Sequence, residues 1–120
     1  MTTRIALVTL LTALVLPSAV AQADNPKLVA VVGTNDAFVI SLRDASGNAV
    51  TQLAPGTYDI AVSDRSESHN FHLKGPGVDK HTSVPFLGTK TWAKVKLKKG
   101  KYKFWCDPHK AQMHGSVTVK

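Results

Sequence analysis

The sequence predicts an all-β domain, a sandwich or barrel of about eight short strands, on three observations. Apolar and polar residues alternate through several stretches, as at Tyr58, Ile60 and Val62 and again at Tyr102, Phe104 and Cys106. Turn-forming clusters separate these stretches at intervals of roughly 8–12 residues, the spacing of sandwich and barrel folds. After Ala23 no stretch long enough for a helix combines a helical period with capping residues. The chain shows no internal repeat and no low-complexity segment.

Taken in order, the first segment stands apart. Arg4 precedes the apolar run Ile5 to Leu16, which gives way to Pro17, Ser18 and Ala21-Gln22-Ala23. A positive start, a short hydrophobic run and an A-x-A site read as a secretory signal peptide over residues 1–23, cleaved after Ala23. The run is shorter than the roughly 20 apolar residues of a spanning helix. The mature protein, residues 24–120, is then one small domain with a single core. Export implies the periplasm or another oxidising extracytoplasmic compartment.

Strand signals follow almost without a break. Leu28 to Val32 and Ala37 to Leu42 are short apolar runs. Asp44-Ala45-Ser46-Gly47-Asn48 is a hairpin-turn signal leading into Val50 to Leu53. Pro55-Gly56 turns the chain into the alternating Tyr58 to Val62, and Ser63 to Ser68 is a polar loop. His69 to Leu73 reads as a strand broken by Gly75-Pro76-Gly77. Val78 to Gly88 lacks a period and reads as a long surface connection. Thr91 to Leu97 alternates, Lys99-Gly100 turns, Lys101 to Cys106 alternates again, and Ser116 to Val119 closes the domain.

The chemistry gathers near the end of the chain. Tyr102 to Gly115 holds the only cysteine, Cys106, together with His109, His114 and one of the two methionines, Met113. A thiolate, an imidazole and a thioether this close together form a soft ligand set that suits copper better than calcium or magnesium. In an oxidising compartment a lone cysteine is an intermolecular bridge, a free thiol or a ligand. The short spacing to His109 favours the ligand. Asp107-Pro108-His109-Lys110 reads as a tight turn, with Asp first and Pro second, that folds the loop back around the sulfur.

A trigonal site needs a second imidazole. On the strand read over His69 to Leu73, His69 shares the inward face of Phe71 and Leu73, while Asn70, His72 and Lys74 face solvent. His69 is therefore the candidate, and His72 and His81 are expected at the surface. Met113 and His114 compete for the axial position. Met113 suits a weak, long thioether bond, whereas His114 would bind more strongly and make a tetrahedral site closer to zinc.

His69-Asn70-Phe71, then Tyr102-x-Phe104-x-Cys106-x-Pro108-His109, then Met113-x-Gly115 and Val117-Thr118-Val119 resemble the cupredoxins, most of all the plastocyanin, amicyanin and pseudoazurin group. The resemblance covers most of the mature domain. It implies a Greek-key β-sandwich holding one type 1 (blue) copper ion, with His69, Cys106 and His109 as equatorial ligands and Met113 as axial ligand. Three residues separate His109 from Met113, against four in plastocyanin-like and two in amicyanin-like loops. Counting back from Gly115 selects Met113; counting forward from His109 at the plastocyanin spacing selects His114.

The resemblance further implies a small, monomeric one-electron carrier between redox partner proteins, not an enzyme, with the edge of His109 as electron port. Pro108, Pro76, Pro85 and Phe86 are candidates for a docking patch around it. Asn70 is expected to brace the two ligand-bearing segments. The alternative is a periplasmic carrier or buffer that delivers copper instead of electrons, and the surplus histidines are compatible with it. An oxidase would need further copper centres, and a cysteine hydrolase would need a base and an oxyanion site.

The formal charge is +7 at pH 7. A basic exported domain suits an acidic protein partner or an anionic surface. Nucleic acid is not expected as a partner outside the cytoplasm, and no recognition motif is present. If Lys99-Gly100 closes a hairpin, Lys98 faces Lys101, Lys96 faces Lys103 and Lys94 faces Trp105 on an outward surface shared with Trp92. Ala93, Val95 and Leu97 then lie on the core side.

Overall fold

The protein is described from a computed structural model, over residues 9–17 and 24–120. Arg4 and the A-x-A site at Ala21 to Ala23 lie outside the described residues. Among the described residues no helix is long and apolar enough to cross a membrane.

Among the described residues nine strands build the domain: β1 (Lys27–Val32), β2 (Ile40–Asp44), β3 (Gln52–Leu53), β4 (Gly56–Asp64), β5 (His72–Gly75), β6 (Val78–His81), β7 (Gly88–Leu97), β8 (Gly100–Trp105) and β9 (His114–Val119). They form two sheets, ordered β2-β1-β4-β7 and β3-β9-β8-β5-β6. This is the β-sandwich the alternation predicts. Leu28, Ala30 and Val32 of β1 and Tyr58, Ile60 and Val62 of β4 point inward from the first sheet. Leu73, Tyr102, Phe104, Val117 and Val119 meet them from the second. Gly115 is required by this packing: a Cβ there would fall inside the Phe104 ring on the neighbouring strand.

Four expectations change. The connection after Val78 contains a strand, β6, at the edge of the second sheet. Only Val78 of its four residues is buried, so it carries no period to read. Asp44 does initiate the turn toward Asn48, its carboxylate accepting the Ser46 and Asn48 amides at 2.9 Å. The hairpin beyond it lasts for a single bridge, Arg43 to Ala49, before β3 joins β9 in the other sheet.

The third change concerns the lysines. Lys99-Gly100 is an arch between sheets, not a hairpin: β7 pairs with β4, and β8 pairs with β5 and β9. Lys96 and Lys103 therefore lie on different sheets. A register shift opposite Tyr58 to Ile60 inserts an extra residue in β7, where Lys94 takes a left-handed φ of 54°. The bulge turns Trp92 inward and leaves Ala93 and Lys94 both exposed, the reverse of the strict alternation. Val95 and Leu97 are buried as expected. Fourth, β5 begins only at His72, so Asn70 is not on a regular strand; it is buried, 1% exposed.

Candidate metal centre

β8 ends at Trp105 and delivers Cys106 at its tip, fully buried. The chain then tightens into a 3₁₀ turn over Asp107–His109, which accommodates Pro108 because the first amides of a helical turn have no internal partner. Backbone bonds close the loop. The His109 amide donates to the Cys106 carbonyl at 3.1 Å and the Met113 amide to the His109 carbonyl at 2.8 Å. The Cys106 amide donates to the Met113 carbonyl at 3.0 Å. Residues 106, 109 and 113 are thus tied to one another by main chain before any side chain acts.

His69 arrives from the segment between β4 and β5, 1% exposed. Its Nδ1 lies 3.0 Å from Nδ1 of His109, and Sγ of Cys106 lies 3.7 Å from each of those nitrogens. Among the described residues these three make the one group of histidine, cysteine or acidic side chains with ligand atoms this close, all within 4.8 Å. A triangle with these sides has its centre roughly 2.0 Å from each corner, close to the 2.0–2.3 Å over which a first-row ion binds imidazole nitrogen and thiolate sulfur. The donor set therefore fits a metal in size as well as in softness.

The surroundings fix which nitrogens face the centre. Nε2 of His69 lies 3.3 Å from the Asp36 carbonyl, which can only accept, so Nε2 carries the hydrogen and Nδ1 is free to ligate. Asp36 reaches this position through a turn in which Gly33, Asn35 and Asp36 all have left-handed φ. A Cβ at Gly33 would come within 2.6 Å of Ser66 and 3.1 Å of the His69 ring, so glycine lets the turn close against the imidazole.

Asn70 braces the two ligand-bearing segments, as expected. Its Oδ1 accepts the Asp107 amide at 2.7 Å, and its Nδ2 donates to the Asp107 carboxylate at 2.8 Å and to the Thr82 carbonyl at 3.0 Å. The Asp107 carboxylate also accepts from the Trp105 indole at 2.7 Å and pairs with His72 Nδ1 at 2.8 Å. Partial burial pushes this carboxyl up, but the bonds from Asn70, His72 and Trp105 outweigh it and hold Asp107 below its ordinary range. Deeper, burial raises Asp64 above its ordinary value against the opposing bonds from the Ser66 amide and Thr82.

The remaining candidates separate clearly. Met113 is 1% exposed and packs with the core. His114 is exposed on β9, where it pairs with Trp105. His72 is half-buried and His81 exposed; His81 is not in an irregular connection but on β6, directly across from His72. Pro76 cannot belong to a patch around His109. Its carbonyl accepts from Tyr102 Oη and its ring packs at Gly100, the far end of β8 from Cys106. The aromatic that does meet the loop histidine is Phe38, stacked on His109 with centroids 4.4 Å apart and set edge-on to His69 at 5.2 Å. Sequence reading missed it because the run Ala37 to Leu42 suggested a strand, whereas Phe38 precedes β2.

A β-sandwich that presents two imidazoles and a buried thiolate at one end defines a single-site cupredoxin. The chain belongs to the copper binding proteins of the plastocyanin/azurin family, whose sequence profile matches residues 23–120. His69, Cys106 and His109 are arranged as a type 1 copper site, and copper is the metal. No curated protein matches by sequence. Among solved structures, reduced rusticyanin is 18% identical with a TM-score of 0.59, covering 83% of this chain and 82% of its own. Rusticyanin from Thiobacillus ferrooxidans, in a further structure, is 23% identical with a TM-score of 0.47 over 78% of this chain and 76% of its own. A chain of a heme-copper terminal oxidase dimer is 15% identical with a TM-score of 0.50, over 88% of this chain and 76% of its own. For reduced rusticyanin and the oxidase chain the likeness, at these identities, is one of fold.

Proposed function

We propose that the protein is an exported one-electron carrier whose copper is held by His69, Cys106 and His109 with Met113 as the weak axial ligand. The observation that carries this reading is the triangle of two Nδ1 atoms and one Sγ, held on main-chain bonds and on Asn70 instead of on mobile side chains. Bound copper supplies a one-electron couple there, and a His₂Cys plane with a weak fourth donor serves both its oxidation states.

The chain's own residues keep the frame still. The Asp36 carbonyl fixes the His69 tautomer, and Asn70 keeps the His69 segment in register with the Cys106 loop. Phe38 limits rotation of the His109 ring. Little then moves when charge changes at the centre. Met113 is favoured over His114 because it is buried and its backbone bonds to both Cys106 and His109. His114 faces the opposite side of β9. Export rests on the N-terminal pattern, and with it a periplasmic or other extracytoplasmic location; function as a monomer rests on the resemblance to small single-domain cupredoxins.

The test is electron exchange by stopped flow between the copper-loaded protein and hexacyanoferrate(II). A carrier is reduced rapidly and retains its copper through repeated cycles. Loss of copper to a competing chelator upon each reduction would instead favour the delivery role.

A further inference from the structure

Four lysines gather on the outer face of the second sheet. Lys101 and Lys103 project from β8, Lys74 from β5 and Lys110 from the ligand loop, and all are exposed. Two shallow concavities meet on this face. One is lined by His72, Lys74, Lys101, Lys103, Trp105 and Lys110. The other shares Lys101, Lys103, Trp105 and Lys110 and continues to His114 and Ser116.

Trp105 is the floor of the groove and is only 9% exposed. Its indole nitrogen donates to Asp107, its ring packs on His72 with centroids 4.4 Å apart, and Nζ of Lys110 sits 4.3 Å above it. Lys74 and Lys103 are direct cross-strand partners, an arrangement that costs stability. Asp79 stands across from Lys74 on β6, but its carboxylate pairs with His72 Nε2 at 2.6 Å. Among the described residues every ion pair involves a histidine, so none of the four lysines has a carboxylate within pairing distance.

We propose that this groove docks an acidic segment of a partner protein, whose carboxylates pair with Lys74, Lys101, Lys103 and Lys110 over Trp105. A concave site with a recessed aromatic floor suits a protein chain that reaches in. A bilayer would call for apolar side chains that protrude. Trp105 immediately precedes Cys106, so the occupant lies one residue along the chain from the thiolate. That the partner is a redox protein rests on the electron-carrier reading; the preference for acidic chain does not.

The lysines of the other sheet provide the control. Lys94 and Lys96 on β7 are equally exposed, so charge reversal there changes the net charge by the same amount on the opposite face. The probe is a polyglutamate peptide, titrated at low salt into the reduced, copper-loaded protein while the Trp105 indole N–H is followed by NMR. The expected result is a shift of Trp105 and a loss of affinity of about tenfold or more in Lys101→Glu/Lys103→Glu, against about twofold or less in Lys94→Glu/Lys96→Glu. Lys101→Gln/Lys103→Gln, a milder change, is expected to fall between them and covers the case in which the reversal fails to fold. Equal losses on the two sheets would reduce the effect to net charge and overturn the groove. So would an unshifted Trp105, or binding to phosphatidylserine vesicles that depends on Lys101 and Lys103 while the peptide does not bind. The visible band of the oxidised protein reports on the copper site separately: its absence would sink the electron-carrier reading and leave the docking result standing.

Discussion

Asn70→Ala removes three hydrogen bonds at once from a side chain that is 1% exposed. Two of them, to the Thr82 carbonyl and from the Asp107 amide, join neutral groups and contribute about 1 kcal/mol each. The third ends on the Asp107 carboxylate and contributes about 2 kcal/mol. The pair between His72 Nδ1 and the Asp107 carboxylate at 2.8 Å also joins the two segments, but it satisfies neither the Asp107 amide nor the Thr82 carbonyl, so the loss stays close to the sum of about 4 kcal/mol. For a domain of this size that corresponds to a fall in melting temperature of roughly 16 °C or more. The assay is thermal unfolding of the copper-free protein, because bound metal stabilises the folded state by mass action and would mask the change. In the copper-loaded variant the thiolate band is expected to shift as the turn over residues 107–109 loosens. A fall of less than about 4 °C in the copper-free protein would mean that water replaces the brace. Asn70 would then not be what couples the two segments.

Three further predictions follow from the same geometry. His69→Ala is expected to destroy the thiolate band while His72→Ala leaves it in place, since of these two histidines only His69 turns a ring nitrogen toward Cys106; absorption spectra giving equal losses would contradict the assignment. Met113→Leu keeps the colour and raises the reduction potential, because losing a weak donor destabilises Cu(II) more than Cu(I), while His114→Ala leaves the potential nearly unchanged. Voltammetry showing the reverse order would move the axial role to His114. Asp107, held below its ordinary value, contributes stability that is present above the unfolded carboxylate value of about 3.9 and lost as pH falls through its folded value. The stability gap between the wild type and Asp107→Asn, measured by denaturant titration, should therefore be full near neutrality and shrink below about pH 4; a gap that widens in acid would reverse the sign of the argument.

Much of this was legible because each part of the pattern has a short-range cause. Alternation at Tyr58 to Val62 and Tyr102 to Cys106 reports a half-buried strand directly, and Cys106, His109 and Met113 lie on one loop. Parity with Phe71 and Leu73 pointed to a buried His69, although the strand it assumed begins only at His72 and the same parity misplaced Asn70. The failures are long-range. Nothing near Lys99-Gly100 distinguishes an arch between sheets from a hairpin, because the same two residues serve both. The bulge at Lys94 is imposed by pairing with β4, so strict alternation placed Trp92 and Ala93 on the wrong faces. Asn70 was read as facing solvent because its burial depends on Asp107 and Thr82, distant in sequence. Phe38 likewise meets His109 only once the turn after β1 has closed at Gly33.

The central claim is that Cys106, His69 and His109 hold one copper ion through a thiolate bond. It is tested most directly by the visible and EPR spectra of the Cu(II)-loaded protein beside those of Cys106→Ser. The expected result is an intense thiolate-to-copper band with narrow copper hyperfine splitting, both lost in the variant while the fold is retained. A weak band with wide splitting in the wild type, or spectra that survive the loss of the sulfur, would contradict it.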